Sequence, residues 1–195
     1  MIKRLFDLVF SFFGILFLSP LFVLIVILLK IRSDDAVFYK QVRVGENNKD
    51  FLIFKFQTMY ADADLLGELT IGERDPRVTR IGYYLRKFKL DELPQLANVF
   101  IGDMSFVGPR PEIRKYVNLY NQDQMQVLSV KPGITDRASI AFRNESEILS
   151  KQEDPNSYYI EVIMPKKLQI NLDYIKERNL IKDIIVIMDT FSAIL

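Results

Sequence analysis

Asp91 and Glu92 stand side by side at the end of a basic stretch in which Arg74, Arg77, Arg80, Arg86, Lys87 and Lys89 outnumber Glu73 and Asp75. Guanidinium groups grip phosphate oxygens bidentately, so the stretch suits an anionic substrate. One carboxylate can attack phosphorus and form an acyl phosphate. The second can act as a base or hold Mg²⁺. Adjacent carboxylates repel, so one pKa rises unless a cation neutralises the pair. Pro94 suits an early helical position, which sets the two acids near a helix start, where the dipole favours anions. A charged cap ahead of a helix reads the same way. Composition removes most other chemistry. The 195 residues contain no Cys, His or Trp. That excludes disulfides, a thiolate nucleophile, a Ser-His triad, an imidazole base and an ordinary zinc site. With 26 basic and 25 acidic residues the net charge is +1, which argues against nucleic acid as a partner.

Three other motifs could serve a phosphate- or nucleotide-binding site. In Gly108-Pro109-Arg110-Pro111 two prolines stiffen the loop around one Arg, fixing where its guanidinium points. Lys131-Pro132-Gly133-Ile134-Thr135 makes a turn, with Arg137, Arg143 and Asn144 downstream, and a uracil or ribose site could lie there. Asp62-Ala63-Asp64 matches the short pattern that holds a metal–nucleotide sugar in some glycosyltransferases. Each also reads as an ordinary turn or polar loop.

The elements that must position these residues begin with an apolar run. Of the 25 positions from Leu5 to Leu29, 20 are Leu, Ile, Val or Phe. At ~1.5 Å per residue, such a helix reaches about 37 Å, enough for a ~30 Å hydrocarbon core. It is too long for the apolar part of a cleavable signal, and no small-residue cleavage site follows. Ser19-Pro20 interrupts it, and an internal Pro kinks a helix. Lys3 and Arg4 before the run, and Lys30 and Arg32 after it, favour the cytoplasmic side at both ends and would attract anionic lipid heads. A helix that dips in and returns fits these features, and so does a kinked spanning helix. Beyond it, Val37–Tyr39 and Phe51–Phe56 read as strands around the polar turn Glu46-Asn47-Asn48. Leu93–Ile101, Glu112–Tyr120 and Pro165–Tyr174 read as helices. Asp183–Leu195 is an apolar helical segment suited to the core or the membrane surface. The fold class expected is α+β and helix-rich: a membrane-embedded helix over residues 1–32, then a compact domain over 33–195 with a small β-hairpin and several amphipathic helices.

Together the motifs resemble a known family. In order they are Lys3-Arg4-x-x-Asp7, the apolar run with Ser19-Pro20, Gln41-x-Arg43-x-Gly45, Lys55-Phe56-x-Thr58-Met59, Asp75-Pro76-Arg77-x-Thr79, Arg86, Leu90-Asp91-Glu92-Leu93-Pro94-Gln95, Asn98, Gly102-Asp103-Met104-Ser105-x-Val107-Gly108-Pro109-Arg110-Pro111, and Lys131 to Thr135. This series resembles the bacterial sugar transferases, the small monotopic phosphoglycosyltransferases, over nearly the whole chain and in their minimal catalytic form.

The resemblance implies transfer of a phospho-sugar from a UDP-sugar to polyprenyl (undecaprenyl) phosphate, with release of UMP. That reaction initiates lipid-linked assembly of O-antigen, capsule, exopolysaccharide or protein-linked glycans. It implies a re-entrant helix broken at Ser19-Pro20, a catalytic domain on the cytoplasmic face of the bacterial inner membrane, and Mg²⁺ as cofactor. By similarity Asp91 is the nucleophile and a metal ligand, and Glu92 assists as base or in arranging the metal. Arg86 and Arg110 are expected to contact phosphate, with Arg77 and Lys55 as further candidates. Membrane lipid is an expected partner, and a homodimer at the membrane surface is compatible. Three positions depart from the family's pattern: Gln57 where Arg is common, Asp136-Arg137 after Pro-Gly-Ile-Thr, and Asp34-Asp35-Ala36 before the first strand. Two competing readings are a metal-dependent glycosyltransferase that uses Asp62 and Asp64 and releases UDP, and an inactive membrane scaffold.

Overall fold

The computed structural model describes residues 2–32, 36–61, 63, 69, 71–72 and 75–194. Helix α1 (Ile2–Arg32) runs through Pro20 as one element. Pro20 has no N–H to give the Leu16 carbonyl, and the Ser19 hydroxyl donates to that oxygen instead, at 2.7 Å. The Ser-Pro pair thus satisfies the acceptor that the proline releases.

One side of α1 lies along the rest of the protein for its full length. Asp7 is buried and accepts from the Ser105 hydroxyl at 3.1 Å and the Phe106 N–H at 3.2 Å. Lys3 donates to Asp183 and to the Val107 carbonyl. Arg4 donates to the carbonyls of Val99 and Phe100. Further along, Leu21, Phe22, Ile25, Val26 and Leu29 pack with Phe56 and Leu85. Lys3 and Arg4, expected to attract lipid heads, also have these protein partners, and Lys3 keeps a 35% exposed side chain. The opposite side exposes Leu5, Phe10, Phe13, Phe17, Val23, Leu24, Ile27 and Ile31.

Strands β1 (Phe38–Val44) and β2 (Asp50–Phe56) form the expected hairpin, in register from Phe38↔Phe56 to Val44↔Asp50. Asn47 and Asn48 take positive φ of 56° and 61° in its turn, a region that Asn tolerates. Helix α2 (Arg80–Lys87) starts at Thr79, whose side chain accepts from the Gly82 N–H. A Cβ on Gly82 would stand 2.0 Å from the Thr58 carbonyl, so only glycine lets α2 lie this close to the chain after β2. Helix α3 (Gln95–Ile101) carries Asn98, which is wholly buried. Its side chain accepts from the Phe54 N–H at 3.0 Å and donates to the Leu52 carbonyl at 2.7 Å. One amide thereby takes the place of a third strand along β2.

Strands β3 (Ser105–Val107) and β4 (Gly133–Thr135) pair in parallel, Ser105↔Gly133 and Val107↔Thr135. A Cβ on Gly133 would fall 2.2 Å from the Gly108 nitrogen, so the two motifs meet backbone to backbone. The remaining helices are α4 (Arg114–Val117), α5 (Arg137–Ala141), α6 (Glu145–Ser150), α7 (Pro155–Tyr158), α8 (Met164–Glu177) and α9 (Leu180–Ile194). One turn of π-helix, Tyr159–Ile163, joins α7 to α8. The main core gathers Ile113, Tyr116, Val127, Leu149, Tyr159, Ile163, Met164 and Leu168. The helix expected over Glu112–Tyr120 shrinks to α4, because Ile113 is extended as its N-cap and the Glu112 carbonyl accepts from the Val44 N–H. Helix α9 buries Val186 and Asp183, and Asp183 accepts from Tyr174 and Lys3. It exposes Ile181, Ile184, Ile185, Met188 and Phe191. The whole is helix-rich with a small antiparallel hairpin and one long apolar N-terminal helix, as the sequence implied.

Candidate active site

Asp91 and Glu92 lie in a short 3₁₀ turn, Leu90–Glu92, between α2 and α3. Lys89 enters the turn in the left-handed region, at φ 56°. Both carboxylates are buried and line a cleft of about 770 Å³. Lys55 Nζ lies 3.0 Å from Glu92 Oε1, and Arg110 bonds both Glu92 oxygens. Asp91 differs, because its buried Oδ1 has no hydrogen-bond partner among the described residues.

The surroundings push these neighbours in opposite directions. Burial raises the Asp91 carboxyl above the ordinary carboxylate range, and the Glu92 charge adds to it, against Lys55, Lys89 and Arg86. Burial would raise Glu92 too, but Arg110 and Lys55 outweigh it and hold Glu92 well below its usual value. Glu92 thus stays ionised and already holds two cations, which makes it a poor base. Burial lowers Lys55 against the pull of Glu92. The Glu92 charge raises Arg110.

The structure brings together residues far apart in sequence. Lys55 projects from β2. Arg86 projects from α2, and its Nε donates to the Thr58 hydroxyl at 2.9 Å. Arg110 comes from the Pro-Arg-Pro segment after β3. All line the cleft with Asp91, Glu92 and Arg77. Arg77 is more committed than expected. It grips Asp75 through Nε and Nη2 and donates to the Leu69 carbonyl at 2.6 Å, which ties the loop after β2 and leaves the guanidinium little freedom. Gln57 also lines the cleft, and its amide donates to the Met59 carbonyl at 2.8 Å. Asp136 is buried and caps α5 through the Ser139 N–H and hydroxyl, which accounts for it structurally. Asp62 and Asp64 lie outside the described residues, as do Asp34 and Asp35. Ser19 and Pro20 are in α1.

Among the described residues no three acids, His or Cys gather as a metal cage. Mg²⁺ rarely uses one. It takes one or two carboxylates plus substrate phosphate oxygens and water. The unpartnered Asp91 Oδ1 suits that role, whereas both Glu92 oxygens are occupied by cations.

Lys87 and Lys89 of the basic stretch line the cleft as well, whereas sequence reasoning missed Glu112, Tyr159 and Lys167. Glu112 was within reach. It lies two residues after Arg110 in a proline-stiffened stretch, and alternate residues of an extended chain share a face. Tyr159 and Lys167 carried no such signal, because only the tertiary fold carries the π-helical turn and α8 to the cleft wall.

The model of the family described as bacterial sugar transferase matches residues 1–195. An uncharacterized sugar transferase of Bacillus subtilis, EpsL, is 42% identical over 73% of this chain and 70% of its own length. The UDP-N-acetylgalactosamine-undecaprenyl-phosphate N-acetylgalactosaminephosphotransferase of Aeromonas hydrophila is 34% identical over all of this chain and 44% of its own. The UDP-glucose:undecaprenyl-phosphate glucose-1-phosphate transferase of Escherichia coli is 34% identical over 99% of this chain and 40% of its own. The chain thus spans less than half the length of the last two.

Proposed function

The chain belongs to the bacterial sugar transferase family, and from that premise we propose that it moves a phospho-sugar from a UDP-sugar to undecaprenyl phosphate and releases UMP. The observation that carries this reading is the contrast inside the acidic pair. Glu92 is neutralised by Lys55 and Arg110, while Asp91 keeps a buried oxygen with no partner. Such a carboxylate is poorly solvated and lines a cleft rich in cations.

In the reaction an Asp91 oxygen attacks the β-phosphorus of the donor. The bond from that phosphorus to the oxygen bridging the two phosphates breaks, and UMP leaves with the electron pair. The enzyme then carries the phosphosugar as an aspartyl phosphate. An oxygen of the lipid phosphate attacks the same phosphorus, and the Asp91 carboxylate departs. Arg86 and Arg110 would hold phosphate oxygens, and Lys55 would add charge behind Glu92. Asp91 Oδ1 would hold Mg²⁺, which supplies charge neutralisation of the diphosphate when bound. Glu92 acts here as the anchor of Lys55 and Arg110.

We also place residues 1–32 in one leaflet as a re-entrant helix that turns at Ser19-Pro20, with residues 33–195 as the catalytic domain on the cytoplasmic face. Support comes from the docking of α1. Its first two turns bond residues 99–107 and 183, and its second half packs on Phe56 and Leu85 of the same body. A helix crossing the bilayer could not touch one soluble body at both ends. The exposed apolar side of α1 would face lipid, so the lipid phosphate need not leave the headgroup plane to reach Asp91.

The test is nucleotide release from the full chain with Mg²⁺, undecaprenyl phosphate and a panel of UDP-sugars, beside Asp91→Ala. The reading expects UMP that depends on the lipid and vanishes in the variant. UDP as the product would overturn it.

A further inference from the structure

The cleft continues beyond the acidic pair to a wall formed by Arg43, Glu112, Tyr159, Lys167 and Glu145, none of which the reaction above uses. Glu112 accepts from the Tyr159 hydroxyl, and Arg43 Nη1 lies 3.8 Å from Glu112 Oε2. Lys167 pairs with Glu145 at 2.7 Å, and its ammonium sits 5.7 Å from the centre of the Tyr159 ring. The Arg43, Glu112, Lys167 and Glu145 side chains keep partial exposure, from 13% to 25%, while Tyr159 is buried with its hydroxyl on Glu112. Tyr159 opens the π-helical turn, a widening of the helix that recurs at functional sites.

Charge divides the cleft in two. The end around the acidic pair sets Lys55, Arg86, Lys87, Lys89 and Arg110 against Asp91 and Glu92, five cations to two carboxylates. The wall pairs Arg43 with Glu112 and Lys167 with Glu145, cation to carboxylate, with Arg143 the further cation of the lining. A diphosphate fits the first end, and a neutral ring bearing hydroxyls fits the second. Glu112 can accept from such hydroxyls, and Tyr159 can accept or donate. We propose that Glu112 and Tyr159, held by Arg43 and Lys167, form the subsite that reads the hydroxyls of the transferred sugar.

This inference rests on the donor reading above. The transferred sugar is ester-linked to the phosphorus that Asp91 attacks, so its far hydroxyls lie about one ring beyond the acidic pair. Glu112 follows Arg110 by two residues and lines the same cleft, and Arg110 itself rests on Glu92. Ribose, by contrast, lies beyond the α-phosphate. Something other than the acidic pair must choose the sugar, because relatives of equal identity are named for glucose and for N-acetylgalactosamine. A hydroxyl of the other configuration would miss Glu112 and forgo that bond.

The experiment uses the full chain in lipid nanodiscs with undecaprenyl phosphate and Mg²⁺. Wild type, Glu112→Gln and Tyr159→Phe are compared on UDP-glucose, UDP-galactose and their two N-acetylated analogues, with UMP release giving kcat/KM. Inhibition by UMP is measured separately, and thermal melts establish folding. The expected result is a fall of about tenfold or more on the preferred donor, with an altered ratio between the 4-epimers. UMP inhibition should stay the same. An equal loss on every donor together with weaker UMP inhibition would assign the wall to ribose and overturn the inference. Unchanged ratios in folded variants would overturn it as well. If the wild type itself releases no UMP on any donor, the donor reading has failed, and the inference falls with it.

Discussion

Lys55 and Arg110 both reach Glu92, so the acid one residue earlier is the one whose oxygen lacks a bond. Two opposite pH responses follow. The Asp91 carboxyl is raised in the folded protein, so folding favours its protonated form. Its contribution is fully present below its unfolded pKa and is lost as pH rises through the raised folded value. Asp91→Asn should therefore melt higher than wild type at neutral pH while losing turnover, a trade expected at active sites. If Asp91 is the nucleophile, kcat should rise with pH through a value above the ordinary carboxylate range, as a pH profile of UMP release would record. Glu92 runs the other way. Its pKa is depressed, so its contribution is present above the unfolded value and lost as pH falls toward the folded one. Glu92→Gln would leave Lys55 and Arg110 without their anion. We expect it to cost about 3 kcal/mol, the low end for a broken buried pair because Arg110 keeps some exposure, measurable by denaturant unfolding. The acidic pair itself was legible in the sequence as adjacent carboxylates after a basic run. Which of the two would be neutralised was not, since Lys55 comes from a strand 37 residues away.

At the scale of elements, single residues join pieces that sequence separates. Asn98 satisfies both the Phe54 N–H and the Leu52 carbonyl. Asn98→Ala should orphan both and cost about 2–4 kcal/mol by chemical denaturation, with Asn98→Asp also poor because it cannot donate. Gly133→Ala should be poorly tolerated, since Gly133 is buried at the start of β4 and its Cβ would strike the Gly108 nitrogen at 2.2 Å. A clearly lowered melting temperature, with Arg110 displaced and activity reduced, is the expected outcome. The hairpin and the helices α3, α8 and α9 were visible as alternation and apolar spacing. The parallel pair β3–β4 was not. Three-residue strands carry too little pattern, and the Gly-Pro and Pro-Gly dipeptides beside them read as turns. The extended stretch at Glu112 was hidden in the same way, because its hydrogen bond to Val44 is a long-range one.

For the whole molecule the question is how a soluble donor and a lipid acceptor meet at one carboxylate. The apolar run announced a membrane helix, and Ser19-Pro20 announced a bend. Composition could not tell that Asp7, Lys3 and Arg4 would fasten the start of that helix to the same body that receives its end. Single cysteines at positions 2 and 31 should both be labelled from the cytoplasmic side if α1 returns to the face it entered. Labelling from opposite sides would favour a spanning helix. The central claim is the covalent role of Asp91, and the most direct measurement is to incubate the full chain and Mg²⁺ with a UDP-sugar labelled in its β-phosphate, without lipid acceptor, and follow the label through denaturing gel and peptide mapping. The account predicts label bound to the peptide carrying Asp91, absent in Asp91→Asn and discharged onto undecaprenyl phosphate when that is added. Lipid-dependent product with no labelled protein at any time would contradict it.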